Sequence, residues 1–300
     1  MNEDIAEYVL NNKVVRFTQP IAFNDPYDVY PKLSKLISDE KIKEMFSILT
    51  ADEKMVEDLL DESIAKTYPT LSPQQKILFS MIPAKKILKQ HIKLRYNSFY
   101  EFIESNINYE KMRELAISNF VVMISTYIGV LSLSKISNSM LMWSHYSNCH
   151  KGIVLEFDET HPYLKQFENN TYTKNIEIEY THERPEIILE KFSFTSEESM
   201  EMSKKILFTK SYEWFYEKEF RIIRFLQNAK KLDFLDNNGY EVFVFDFPKE
   251  LLKGIIFGSK ISGYNKEKIF DAIKKNHWDH LNVSQACLNR ESYCIDINAM

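Results

Sequence analysis

Apolar residues recur along this chain at two different spacings, and the change of period divides it. Residues 1 to 12 place Ile5, Val9 and Leu10 on one side of a short helix, and the Asn11-Asn12 pair favours a turn before the brief strand VVRFT. From Lys32 to about Asn119 apolar positions return every third or fourth residue, as in Leu33, Leu36 and Ile37 and again in Ile77, Leu78 and Met81, without a glycine. That spacing predicts about four or five helices. Breaks between them are expected at Thr50-Ala51-Asp52, from Pro69 to Pro73 and at Ile82-Pro83.

Past Tyr127 the period falls to two. YIGVLSLSK predicts a buried strand with Ser132 and Ser134 on one face, and GIVLEFD, NIEIEYT and FRIIRFL read as further strands. Between the first two, NSMLMWSHYSNCHKG predicts a helix capped by Ser137 or Asn138 and ended by His150, Lys151 and Gly152. Helical spacing turns its Met140, Trp143 and Ser147 inward. A helical stretch from about Pro185 to Leu207 separates NIEIEYT from FRIIRFL. EVFVFDF and LLKGIIFGS complete the β-rich half, and Asn237-Asn238-Gly239 predicts a hairpin before the first of them. Lys266 to Lys275 adds a helix, and YCIDI the closing strand. The expected class is α+β, in three parts: residues 1–31 as helix, strand and loop of a core, 32–120 as a helical insertion, and 121–300 as the rest of the core.

Composition narrows the picture. With 44% apolar residues among 300, a packed core is affordable. The net charge of −5, from 43 acidic and 38 basic residues, excludes the basic excess of a dedicated nucleic-acid coat, so nucleic acid would need a local patch. Cys149, Cys287 and Cys294 lack C-x-x-C spacing and fit reduced structural thiols. MNEDIAEYVLNN is acidic where a signal peptide would be basic, and no apolar run approaches the roughly 20 residues of a membrane span, so a cytoplasmic chain without membrane contact is expected.

Several segments carry candidate chemistry. PIAFNDPYD, between Pro20 and Asp28, sets Asn24, Asp25 and Asp28 in one loop, either to hydrogen-bond their own backbone or to coordinate a cation. Glu217 and Glu219, two apart on an extended segment, would share a face, although Glu217, Lys218, Glu219 and Arg221 also suit an exposed charged strand edge. Trp214, Phe215 and Tyr216 beside them would floor a ring pocket or join the core. His145 and His150 lie five apart, which misses the one-turn spacing of zinc ligands, so no metal site is assigned. Gly258-Ser259-Lys260 offers backbone amides to an anion. A metal-dependent nuclease would instead need Asp25, Asp28, Glu156 and Asp158 around one divalent ion. A non-catalytic binding module would use the same segments only for packing and turns.

Three of these segments, AFNDPYD, LSLSK-x5-LMWSHYSNCHKGIVLEFD and SYEWFYEKEFRII, together resemble the bacterial family called domain of unknown function 2971. Their order, a strand with Ser-x-Ser, a helix, a second strand and a later Glu-x-Glu, is similar to the ADP-ribosyltransferases. That resemblance implies a split β-sheet core with an inserted helical layer, and NAD as a substrate lying between two small sheets. It matches Ser132 or Ser134 to the serine of the arginine-serine-glutamate triad, Glu219 to its glutamate and Glu217 to the first Glu of Glu-x-Glu. The first triad position falls to Arg16 or His145, because the chain opens on a helix where those transferases have a strand. Tyr146, Asn24 and Asp25 are then expected beside NAD. The implied activity is mono-ADP-ribosylation of a protein or nucleic-acid acceptor, as a toxin or phage-defence effector, with a neutralising antitoxin as a further expected partner.

Overall fold

The structure, a computed structural model, describes residues 1–35, 65, 68–70, 73, 109–165, 176–188 and 197–300. The helices expected around Leu36 and Ile37 and from Ile77 to Met81 lie outside the described residues, as do the breaks at Thr50-Ala51-Asp52 and Ile82-Pro83. In chain order the elements are α1 (Glu3–Asn12), β1 (Val14–Arg16), β2 (Lys32–Lys35), α2 (Tyr109–Tyr127), β3 (Ile128–Ser134), α3 (Met140–Tyr146) and β4 (Ile153–Phe157). Then come β5 (Ile176–Glu177), β6 (Glu179–Thr181), β7 (Glu186–Ile188), α4 (Glu197–Leu207), β8 (Thr209–Ser211) and β9 (Glu219–Phe225). The chain finishes with β10 (Lys230–Leu235), β11 (Glu241–Asp246), β12 (Leu252–Phe257), α5 (Gly263–Lys275), β13 (Asn282–Leu288) and β14 (Ile295–Ala299). Helix and sheet are thus mixed, an α+β chain.

It divides into two compact units, one of Met1–Lys32, Asn119–Pro185 and Met200–Met300, the other of Leu33–Ser118 and Glu186–Ser199. In the second, β2 pairs with β7 and buries Leu33 and Ile187. Both strands correct a helical expectation. KLSK places Leu33 in an extended ladder, and the stretch after Pro185 is extended from Glu186 through Ile188, while Glu197–Leu207 is helical as expected. Proline biases its neighbourhood away from helix, and the two β-branched isoleucines fit a pleated ladder better than a helical turn.

The first unit holds the remaining sheets. α1 opens with Asn2 accepting from the Ile5 amide at 2.9 Å and closes on Lys13 in the left-handed region at φ 54. Its Ala6, Val9 and Leu10 join Ile153 of β4, Ile255 of β12, Ile269 and Ala272 of α5, and Trp278 in one apolar core. β12 lies between β4 and β13 in the order β14-β13-β12-β4, while β1-β11-β10 forms a separate antiparallel sheet. Gly239, at φ +85, turns the hairpin between β10 and β11 where the sequence places it. β13 escaped the sequence reading because NVSQACL is weakly apolar; it is a strand because β12 and β14 pair with both its edges.

α3 is shorter than expected. The Trp143 indole donates to the Ser137 carbonyl at 2.7 Å, so the chain is still non-helical there and Ser139 is the cap, its hydroxyl accepting from the Met142 amide. After Tyr146 three successive residues, Asn148, Cys149 and His150, are left-handed at φ 50, 53 and 68, and the chain folds back so that the Gly152 amide reaches the Ser147 carbonyl at 2.7 Å. A β-carbon at Gly152 would stand 2.1 Å from the Met1 carbonyl, which explains the glycine. Trp143 and Ser147 are buried at 1% and 2% exposure, but Met140, at the first helical position, is 40% exposed, against the inward packing its spacing predicts.

Candidate active site

β9 is the middle strand of the order β3-β9-β5, so its side chains enter an interior and not an edge. Antiparallel pairing with β3 sets Ser134 opposite Glu219 and Ser132 opposite Arg221. Arg221 is 1% exposed, Glu219 5% and Glu217 4%, which overturns the exposed-edge alternative. Buried charges need partners, and these have them. The Arg221 Nε donates to Glu219 Oε1 at 2.7 Å, its Nη1 donates to Asp28 Oδ1 at 3.0 Å and to the Leu207 carbonyl at 2.8 Å, and its Nη2 reaches Asp28 Oδ2. Lys210, from β8, donates to Glu217 Oε2 at 2.6 Å and Glu219 Oε2 at 2.9 Å.

Glu217 and Glu219 converge by another route than a continuous strand. Glu217 ends a 3-10 segment, Tyr212–Glu217, and Lys218 turns left-handed at φ 47 before β9 begins. The kink swings both carboxylates onto the single ammonium of Lys210. Tyr146 then donates its hydroxyl to Glu217 Oε1 at 2.6 Å and accepts from Asn24 Nδ2 at 3.1 Å. Ser134 donates to the Glu217 carbonyl at 2.6 Å, and the Tyr180 hydroxyl accepts from the Glu219 amide at 2.8 Å.

Electrostatics split the pair. Burial alone would push Glu219 up, but Arg221 and then Lys210 outweigh it and hold the carboxyl at about 2, with a hydrogen bond from Ser132 assisting. Glu217 has only a share of Lys210 and the Tyr146 hydroxyl against the same burial, and its pKa is raised. Lys210 is raised too, since Glu219, Asp28 and Glu217 together exceed its desolvation. Glu219 is therefore held ionised well below neutral pH and Glu217 is the one better able to exchange a proton, a division suited to acid–base work.

The cluster floors a cleft of about 530 Å³ whose wall includes Arg16, Asn24, Ser132, Ser134 and Tyr146. Of the residues expected at a site, Glu217, Glu219, Ser132, Ser134, Arg16, Tyr146 and Asn24 thus border one cavity. Asp25 does not; it is 6% exposed, its Oδ1 accepting from the Tyr27 amide at 2.9 Å as a turn builder. His145 stands outside as well, its ring 6.3 Å from those of Tyr146 and Tyr216 and 6.5 Å from that of Trp214. Arg16 is on the wall but bound to Asp236 Oδ2 at 2.6 Å, while the cations that meet Glu219 are Lys210 and Arg221. Sequence reasoning missed both as site residues. The available signal was a basic residue two positions past Glu219 within an apolar β run, where an unpaired charge could not stay.

The carboxylates of the nuclease alternative do not come together. Asp28 is taken by Arg221, Asp158 by Thr160 and Lys253, and among the described residues no three His, Cys, Asp or Glu side chains are placed to hold a metal ion. Gly258-Ser259-Lys260 is no anion cradle, since the amides of Gly258 and Lys260 are spent on the carbonyls of Gly152 and His150 at 2.9 Å each. Among the described residues no helix is long and apolar enough to cross a membrane. Residues 142–222, from α3 into β9, match the family model described as Protein of unknown function (DUF2971). No curated protein and no solved structure matches the chain.

Proposed function

We propose that this chain is an NAD-dependent mono-ADP-ribosyltransferase, with an ADP-ribosyltransferase-like split sheet around its cleft and a protein or nucleic-acid acceptor. The observation that carries the reading is the meeting of Glu217 and Glu219 on Lys210 at the floor of a cleft bordered by Ser132 and Ser134. In such a transfer the bond between ribose C1′ and the nicotinamide nitrogen breaks, its electron pair leaves with neutral nicotinamide, and positive charge develops on the ribose. A carboxylate fixed in the ionised state answers that charge, and Glu219 is held so. The acceptor attacks C1′ with a lone pair and gives up a proton, for which Glu217 is the base whose pKa is shifted towards the working range. Three carboxylates against two cations leave the ionised cluster one negative charge in excess, despite the ion pairs. Arg16, whose Nε is buried without a partner among the described residues, is the basic group on the wall suited to a diphosphate oxygen.

The test incubates the full chain with labelled NAD and cell lysate and then counts label in the protein and nucleic-acid fractions. Glu219→Gln should lower transfer by a factor on the order of 10² or more, with a thermal melt run alongside to separate that loss from the ion pairs it removes. Glu217→Gln should lose transfer to the acceptor while retaining NAD hydrolysis, because water can take the acceptor's place. Wild-type protein that consumes no NAD and labels neither fraction would sink the reading.

A further inference from the structure

Beside Tyr146 the cleft adjoins a second lobe of about 490 Å³, with Met1, Leu133, Ser134, Met142 and Tyr146 bordering both. Its remaining walls are largely apolar, from Ile136, Leu155, Phe157 and Phe220. Glu156 breaks that pattern. It sits on β4, the edge strand of its sheet, partly buried, and among the described residues it forms no hydrogen bond and no ion pair. Burial is the one influence that moves its carboxyl, upward. Across the ladder stands Gly254, where a β-carbon would lie 2.6 Å from Glu156 Oε2, so the glycine leaves the carboxylate its room. Glu159 adds a second negative charge to the lining, while of the cations there Lys135 is already engaged by Glu177 and the Met1 ammonium donates to the Ile153 carbonyl at 2.8 Å.

An unpaired carboxylate in an apolar wall is costly, and a cation that arrives with its own apolar stem removes that cost while covering the wall. We propose that this second lobe binds a primary alkylammonium group, with Glu156 as its counter-ion and the apolar walls of the lobe around its stem. An ammonium offers three rotatable donors, which the Glu156 carboxylate and the hydroxyl oxygens of Ser134 and Ser137, both lining the lobe, can accept. A phosphate or carboxylate ligand would meet Glu156 and Glu159 with like charge. The binding depends on no step of the transferase reading and can be measured in the absence of NAD.

The experiment titrates n-butylammonium chloride into the full chain and follows saturation-transfer NMR, with 1-butanol as the uncharged analogue of equal stem. Wild-type protein should bind the cation saturably, and Glu156→Gln should weaken it about tenfold, as loss of a charged hydrogen-bonding partner does. The 1-butanol signal should be the same in both. Because Glu156 has no partner among the described residues and its charge is costly where it sits, the variant should melt no lower than the wild type, and Glu159→Gln should bind nearly as wild type. Absence of saturable binding by the wild type, or equal binding by wild type and Glu156→Gln, overturns the proposal. Competition by N-acetyl-lysine methylamide supports it with a peptide side chain as the source, and binding of n-butylammonium without that competition supports it with a free small amine.

Discussion

Ile255 on β12 and Arg221 on β9 are buried to 0% and 1% exposure, yet they are held inside by different physics. Around Ile255 the neighbours are apolar side chains of α1, β4 and α5, and any of several aliphatic residues could take its place if volume were kept. Around Arg221 the side chains that hold it are charged, and in the cluster each group fixes the next, Asp28 and Glu219 through Arg221, Glu217 and Glu219 through Lys210, and Tyr146 through Glu217. The apolar interior stabilises by area and tolerates change. The charged interior places a few atoms and tolerates little, because removing one partner leaves another buried and unpaired. The charged interior floors the cleft with Lys210, Glu217 and Glu219, so the less forgiving part of the unit is also the one able to do chemistry.

The strongest way to break this contrast is Arg221→Ala. It strands Asp28 and Glu219 with a shared lysine, and urea unfolding should show a loss of about 3–5 kcal/mol. A loss below about 1 kcal/mol would mean that the cluster is not held by its pairing. A smaller effect is expected from acid. The folded Glu219 titrates at about 2 against an ordinary 4.5, so as pH falls the unfolded chain takes up this proton first. The stability tied to Glu219 is whole above about 4.5 and drains as pH falls towards about 2. Glu219→Gln should therefore show a flatter urea midpoint across that range than the wild type, and parallel curves would deny the depressed pKa.

Tyr146→Phe removes the hydrogen bond to Glu217 Oε1 without changing the ring, and should cost about 2 kcal/mol, the usual worth of a hydrogen bond to a charged group. Measured against Glu217→Gln in a double-mutant cycle, the two losses should fall well short of additive; full additivity would place Tyr146 outside the network. The smallest change belongs to the apolar side. Ile255→Val deletes one buried methylene and should lower stability by about 1 kcal/mol with cleft chemistry unaltered. If it matched Arg221→Ala, the two interiors would not differ in kind.

Much of the first unit was legible because its signals are local. YIGVLSLSK, GIVLEFD and FRIIRFL carry strand periodicity, and β3, β4 and β9 form there; the hairpin at Gly239 and helix α5 follow their own turn and cap residues. Errors arose where partners decide. KLSK and the residues after Pro185 have apolar spacing that fits a helix, and became strands by pairing with one another. NVSQACL has little apolar signal and became a central strand through two neighbours. The end of α3 was read too late because the three left-handed residues that stop it are not glycine.

The sequence alone determined the apolar periods, the α+β class, and the placement of Ser132, Ser134, Glu217 and Glu219 on or beside strands, because side-chain direction along a helix or strand repeats over a few residues. Which charges would meet was decided by tertiary structure. Arg221 binds Asp28 from 193 residues away, and Tyr146 reaches Glu217 across 71. Coulomb attraction and hydrogen bonding act over a few ångströms of space and carry no trace along the chain. The same Glu-x-Glu could have been a solvated edge, and the central position of β9 made it a buried pair with one carboxylate locked in its charged form and the other left closer to exchange.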